Sequence, residues 1–257
     1  LPVTSPPLLR PDWPVPQNVR GGMSLRAGGV SPAPWASLNL GSAVGDDPAA
    51  VAENRARFAL ALGARPVWLR QVHGRGVVRL DASSPEQSST PADAAWTSDS
   101  GIACTVLVAD CLPVLMALRD GRAVAAAHAG WRGLAAGVLE ATVDALCAGT
   151  GAAPGDIVAW LGPCIGPRQF EVGADVLLAF GQRPGATDPT RFSSRPRADG
   201  SPRWLGNLPG LAVDRLAGAG VHAVSQLDAC TVEDDSRFFS FRRDGVTGRH
   251  AAAVWRL

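Results

Sequence analysis

The chain contains no lysine and no tyrosine, so all 24 of its basic residues are arginines. Without lysine there is no Schiff-base catalyst and no Walker-type phosphate lysine. The five cysteines are an odd number, widely spaced and without a CxxC pair. That is no disulfide framework, and it points to a reducing compartment. No apolar run approaches the ~18 residues of a spanning helix. The opening stretch, Leu1-Pro-Val-Thr-Ser-Pro-Pro7, has neither the charged nor the apolar region of a signal peptide. A formal net charge of +1 gives no electrostatic reason to expect nucleic acid or an anionic membrane as partner. The expectation is a soluble cytoplasmic protein, a monomer or small homo-oligomer, acting on a small molecule.

What is present is enough chain for a large core: 257 residues bury roughly three quarters of their unfolded surface. Residues 1–18 are Pro-rich and read as a surface segment ahead of a single domain over 19–257. Asp46-Asp47-Pro48 opens a helix with an Asp cap and Pro in the first turn. Val51, Phe58, Ala59 and Leu62 form its apolar stripe, and Gly63 closes it. Strands are expected at 66–69, 77–80, 103–109, 113–118, 123–127, 157–161, 221–224 and 251–257. Further helices are expected at 133–147, with Leu134, Val138, Thr142 and Leu146 on one face, and at 207–216. Residues 82–92 and 181–203 read as loops. Strands and helices mix without a regular βαβ period, and no GxGxxG occurs. The reading is one α/β domain.

Histidine is as scarce as its chemistry is useful, with four in the chain. His73, His128 and Cys111 each stand where an apolar run breaks at small or kinking residues, and two imidazoles with one thiolate suffice for a zinc ion with an open position. Taken singly, each would pass for a packed core residue. His222 and His250 read as structural or surface groups, and Cys104, Cys147, Cys164 and Cys230 as core. Asp110 ends an apolar strand, an odd place for a carboxylate without work or a partner. It is the candidate to orient a ligand or to act as general base. Cys111 could be a zinc thiolate or a nucleophile paired with His128. Arg132, in a Gly-rich turn at an expected helix start, is the candidate anion ligand, with Arg26 and Arg242 assisting. Gln71 could orient substrate through its amide.

Eight segments together resemble a known bacterial family. They are Arg26-Ala-Gly-Gly-Val-Ser, Ser37-Leu-Asn39-Leu-Gly, Gln71-Val-His73-Gly, Ala109-Asp-Cys111-Leu-Pro-Val-Leu, His128-Ala-Gly-Trp-Arg-Gly, Leu161-Gly-Pro-Cys-Ile-Gly-Pro, Phe170-Glu-Val-Gly and the stretch from Phe238 to Arg249. The family is that of the "multicopper polyphenol oxidase", or laccase-domain, proteins, also described as purine nucleoside phosphorylases with adenosine deaminase activity. The resemblance runs from about residue 20 to the end. It implies a zinc site of His73, Cys111 and His128, one zinc per chain, and inorganic phosphate as co-substrate. It also implies a single-domain α/β sandwich with mixed sheets resembling the Cys-His deamidase toxin fold, and Asn39 and Gln71 as substrate contacts. Cys164 stands where Ala is usual, and Phe241 where Tyr is usual.

The expected reaction is phosphorolysis of adenosine, inosine, guanosine and methylthioadenosine, together with deamination of adenosine. A zinc ion that lowers the pKa of a coordinated water to about 7 suits attack at purine C6. Asp110 would shuttle protons, and Arg132 with Arg26 or Arg242 would hold phosphate. One alternative is a zinc or Cys-His amide hydrolase that edits cell-wall precursors. Another is a metal-stabilised partner protein. Laccase chemistry needs roughly ten histidines for its copper centres, and four do not supply them.

Overall fold

The computed structural model describes residues 6–257; the first five residues of the Pro-rich segment lie outside the described residues. In chain order its elements are β1 (Leu8–Leu9), β2 (Val19–Ser24), α1 (Pro48–Leu62), β3 (Arg65–Arg70), β4 (Val77–Arg79), β5 (Gln87–Pro91), β6 (Ala94–Thr97), β7 (Ile102–Val108), β8 (Leu112–Leu118), β9 (Val124–Ala129), α2 (Trp131–Ala136) and α3 (Val138–Thr150). They continue with β10 (Ile157–Leu161), β11 (Glu171–Val172), α4 (Ala174–Ala179), β12 (Phe192–Ser194), β13 (Trp204–Gly206), α5 (Leu208–Gly218), β14 (Ala223–Gln226), α6 (Phe241–Asp244) and β15 (His250–Arg256).

Two six-stranded sheets of mixed polarity form the body. Their orders are β1-β2-β15-β7-β3-β5 and β14-β10-β8-β9-β6-β4. One core lies between them and includes Val106, Leu115, Val124, Ala126, Trp160 and Val254. A second core fills the outer face of the second sheet, where Leu139, Val143 and Leu146 of α3 and Leu211 and Leu216 of α5 pack. The third lies under α1, where Phe58 and Leu62 meet Trp68 and Trp255. The layers are helix, sheet, sheet, helix. A strand such as β8, covered on both sides, must be apolar throughout, and all seven of its residues are buried. This is a single-domain α/β fold with mixed sheets.

Cap chemistry acts as the residues require. Asp47 accepts a hydrogen bond from the Ala49 N–H, Pro48 opens α1, and Gly63 ends it in the left-handed conformation. Four segments differ from the sequence expectation. The run expected as one helix over 133–147 is two helices, α2 and α3, because Gly137 takes φ 92° between them. Within the expected loop 82–92, Gln87–Pro91 is an edge strand parallel to β3. Its polar residues fit a strand exposed to water along one edge. Within 181–203, Phe192–Ser194 pairs with β13 in a small three-stranded sheet. The described part of the Pro-rich segment does not run free over the surface. Its β1 pairs with β2, and Trp13 and Val15 pack on the inter-sheet core.

Strand register then gathers the chemistry. In the antiparallel pair β8/β9, Pro113 lies opposite His128, so Cys111 and His128 reach the same end of the second sheet. β6 runs antiparallel to β9 with Ala94 opposite Ala127, which brings Asp93 beside His128. β3 lies parallel to β7, so the turn bearing His73 and the turn bearing Asp110 and Cys111 leave the first sheet at the same end.

Candidate metal centre

The ligand atoms of His73, Cys111 and His128 all lie within 4.8 Å of one another, the one such group with metal-binding chemistry among the described residues. Cys111 Sγ is 3.9 Å from His73 Nε2, and the two imidazoles meet edge to face at 4.8 Å. Zinc bonds of about 2.0–2.3 Å place tetrahedral ligand atoms about 3.5 Å apart. Small side-chain rotations would therefore close this set round an ion. Two imidazoles and a thiol are suitable donors for it.

The anchor of the set is Asp93, which is fully buried. Its Oδ1 lies 2.8 Å from His128 Nδ1, leaving His128 Nε2 for a metal. The same carboxylate accepts the backbone N–H groups of Val72, His73 and Gly74 at 3.1, 2.9 and 2.8 Å. One buried carboxylate thus orients one histidine ring and fixes the turn that presents the other. Burial works to raise the Asp93 pKa, but His128 and these N–H groups outweigh it and hold the pKa below its ordinary value. His73 itself takes φ 57°, a conformation uncommon for residues other than glycine. The three N–H bonds to Asp93 hold it there.

Local electrostatics favour a thiolate. Burial would raise the Cys111 pKa, but the charges of His128 and His73 and their hydrogen bonds bring it down to about 6. Burial likewise opposes protonation of His128, while the Cys111 charge and the Asp93 bond lift it to about 9. Without a metal, each group thus favours the charged form of the other, a thiolate beside an imidazolium. Space is shaped as well. A Cβ on Gly130 would stand 3.0 Å from Cys111 Sγ and 3.0 Å from His73 Cδ2. On Gly133 it would meet the Gly74 carbonyl at 2.7 Å. The glycines of His128-Ala-Gly130-Trp-Arg-Gly133 let the α2 start approach both ligand-bearing turns.

The three ligand candidates open onto a cleft of about 720 Å³. The other sequence candidates are placed as follows. Asp110 adopts φ 88°. Its two oxygens accept from the Thr231 hydroxyl at 2.6 Å and the Arg242 N–H at 2.7 Å. It ties down the turn that presents Cys111, and the carboxylate on His128 is Asp93 instead. Arg132 is exposed within the first turn of α2, its guanidinium stacked 4.3 Å over Trp131 and off the cleft wall. Arg26 donates to the Ala36 and Asp235 carbonyls and covers Phe239. Arg242 donates to the Gln169 and Glu171 carbonyls. Neither lines the cleft.

Asn39 is buried, and its Oδ1 accepts the N–H groups of Gly41 and Arg249, each at 2.9 Å. Gln71 lines the cleft, yet its amide closes both bonds with the Leu107 backbone, continuing the β3/β7 pairing. His250 is buried and accepts the Phe239 N–H. Burial pushes its pKa down to about 3, so it is a neutral core group. Sequence reading missed Asp93 and the cleft-lining Arg55, Arg70 and Arg249.

Known proteins match this chain along nearly its whole length. Residues 20–257 match the family model described as multi-copper polyphenol oxidoreductase laccase. A protein of Pseudomonas aeruginosa named purine nucleoside phosphorylase is 51% identical, over 96% of this chain and 97% of its own length. The Escherichia coli protein named purine nucleoside phosphorylase YfiH is 46% identical, over 96% and 98%. Among solved structures, a Neisseria meningitidis protein is 42% identical, with a TM-score of 0.86 over 97% of this chain and 98% of its own. YlmD from Geobacillus stearothermophilus is 32% identical, with a TM-score of 0.85 over 97% and 96%.

Proposed function

The chain belongs to the multi-copper polyphenol oxidoreductase laccase family, and from that membership we propose that it is a zinc-dependent purine nucleoside phosphorylase that also deaminates adenosine. The observation that carries this reading is the His73–Cys111–His128 cluster at a nucleoside-sized cleft, in a chain similar along its whole length to proteins named purine nucleoside phosphorylase. The copper reading in the family description fits this chain poorly. Its four histidines include two at the cluster and two elsewhere, His222 exposed and His250 in the core.

In phosphorolysis a phosphate oxygen bonds to ribose C1′ as the C1′–N9 bond breaks. The bonding pair leaves on the purine, which takes up a proton; the products are free base and ribose 1-phosphate. In deamination water adds at C6 and ammonia leaves. A zinc ion held by His73, Cys111 and His128 would supply Lewis acidity and a more acidic coordinated water. The chain supplies the remainder. Asp93 fixes His128 and the His73 turn. Leu69, Leu107, Val108 and Phe241 give the cleft an apolar wall for a purine ring.

The test is product analysis of adenosine and inosine incubated with the zinc-loaded protein, with and without phosphate. Phosphate-dependent free base with equimolar ribose 1-phosphate is expected, with inosine and ammonia also formed from adenosine. Base release without phosphate, or none, would refute the phosphorylase reading.

One observation favours a second reading, the Cys-His amide hydrolase. Cys111 Sγ lies within 4.8 Å of both imidazoles at the same cleft, and their proximity holds its pKa down, which is also the arrangement of an activated nucleophile.

A further inference from the structure

Building on the phosphorolytic reading, we infer that inorganic phosphate is held by Arg249, Arg55 and Arg70 in the metal-bearing cleft, rather than by the arginines the sequence singles out. All three line that cleft, and no carboxylate does. None takes part in an ion pair among the described residues. Glu86 acts on Arg55 only from beyond ion-pair distance. Cys111 and Asp110 act on Arg249 only from beyond ion-pair distance, so three cations share the cleft with no paired carboxylate, and an anion entering it relieves their mutual repulsion.

The protein partners of the three are neutral and incomplete. Arg249 Nη1 donates to the Thr247 and Gly248 carbonyls at 3.1 and 3.0 Å. Its Nε and Nη2 have no acceptor among the described residues, and they form the edge of the fork that suits two phosphate oxygens. Arg55 spans Leu40, Gln87 and Ser42 and lies over the Trp68 ring at 4.2 Å. Arg70 makes a single long contact, 3.4 Å to the Ser89 carbonyl. Burial works against the charge of both Arg249 and Arg55, a cost that a bound anion offsets.

Arg249 is also held in place by buried structure. Asn39, fully buried, accepts its backbone N–H. A Cβ on Gly41 would come 2.7 Å from Arg249 Cγ, so the missing side chain is what lets the arginine stem lie there. The motif Ser37-Leu-Asn39-Leu-Gly41 is thereby accounted for: it seats the arginine beside the cleft and need not touch substrate. By contrast, Arg26, Arg132 and Arg242 do not line that cleft, so they cannot meet a phosphate bound beside the metal ligands.

The experiment titrates zinc-loaded wild type, Arg249→Gln, Arg249→Lys, Arg55→Gln, Arg70→Gln and Arg132→Gln with inorganic phosphate by calorimetry, and measures KM for phosphate with inosine. Loss of a charge-assisted contact should weaken phosphate binding about tenfold or more in Arg249→Gln. A smaller loss is expected in Arg55→Gln and Arg70→Gln, and partial recovery in Arg249→Lys, all with unchanged zinc content. If Arg249→Gln does not fold, the Arg55 and Arg70 variants carry the test, since Arg70 is exposed and Arg55 half-buried. Phosphate affinity unaltered in all the folded cleft variants, or weakened only in Arg132→Gln, would overturn the assignment. If wild type binds phosphate through these arginines but turns over no nucleoside, the phosphorolytic reading fails while the phosphate site stands.

Discussion

Asp93 does at the residue scale what the sequence seemed to ask of Asp110. Three backbone N–H groups and one imidazole converge on its carboxylate, and an amide in its place could not accept all four. Asp93→Asn is therefore expected to weaken zinc binding by roughly 10- to 100-fold and to lower stability, measured by chelator competition and urea unfolding. Unchanged zinc affinity would show that the histidines hold their geometry unaided. Cys111 gives a pH signature. In the metal-free protein its pKa near 6 makes the thiolate dominant above that pH. Alkylation by iodoacetamide should therefore rise through pH 6 and level off by neutrality, whereas an ordinary thiol is still gaining thiolate at pH 8–9. Bound zinc should suppress the labelling. Rapid labelling with zinc retained would favour the nucleophile. The three ligand candidates were legible because each sits where its own apolar run breaks. Asp93 was not, because its partners lie 19 to 35 residues away and only strand register brings them together.

At the scale of elements, the packing of α2 against the ligand-bearing turns is the sensitive joint. Gly133 approaches the Gly74 carbonyl so closely that a methyl group would stand 2.7 Å from it, and a backbone atom cannot rotate away. Gly133→Ala should displace α2 or the His73–Gly74 turn, costing about 1–3 kcal/mol of stability, as overpacking does, and lowering zinc affinity. Thermal unfolding and zinc titration would register both; an unperturbed variant would mean that the joint yields freely. Elements were legible where propensity, capping and burial agreed, as in α1 and β7 to β10. They were missed where a local rule was overridden. The face of Leu134, Val138, Thr142 and Leu146 is buried as expected, yet its period runs straight through the break at Gly137. β5 is an edge strand of polar residues, with no apolar alternation to betray it.

For the whole molecule, the three apolar cores, between the sheets, outside the second sheet and under α1, are built from side chains other than the ligand candidates, of which only Cys111 packs against one of them, so they need no ion to form. No helix of the described residues is long and apolar enough to cross a membrane. Chelation should then abolish activity while leaving the circular dichroism spectrum and the cooperative unfolding transition in place. Unfolding on metal loss would instead mark a structural site. The arginine trio was beyond sequence reading for a related reason: Arg55, Arg70 and Arg249 come from α1, β3 and the approach to β15, and only the assembled sandwich makes them one wall. The most direct test of one catalytic metal at His73, Cys111 and His128 is stepwise addition of zinc to the metal-free protein, with phosphate-dependent ribose 1-phosphate formation measured at each step. The account predicts activity that rises linearly and saturates at one zinc per chain. Activity indifferent to zinc, or appearing only with several copper ions per chain, would contradict it.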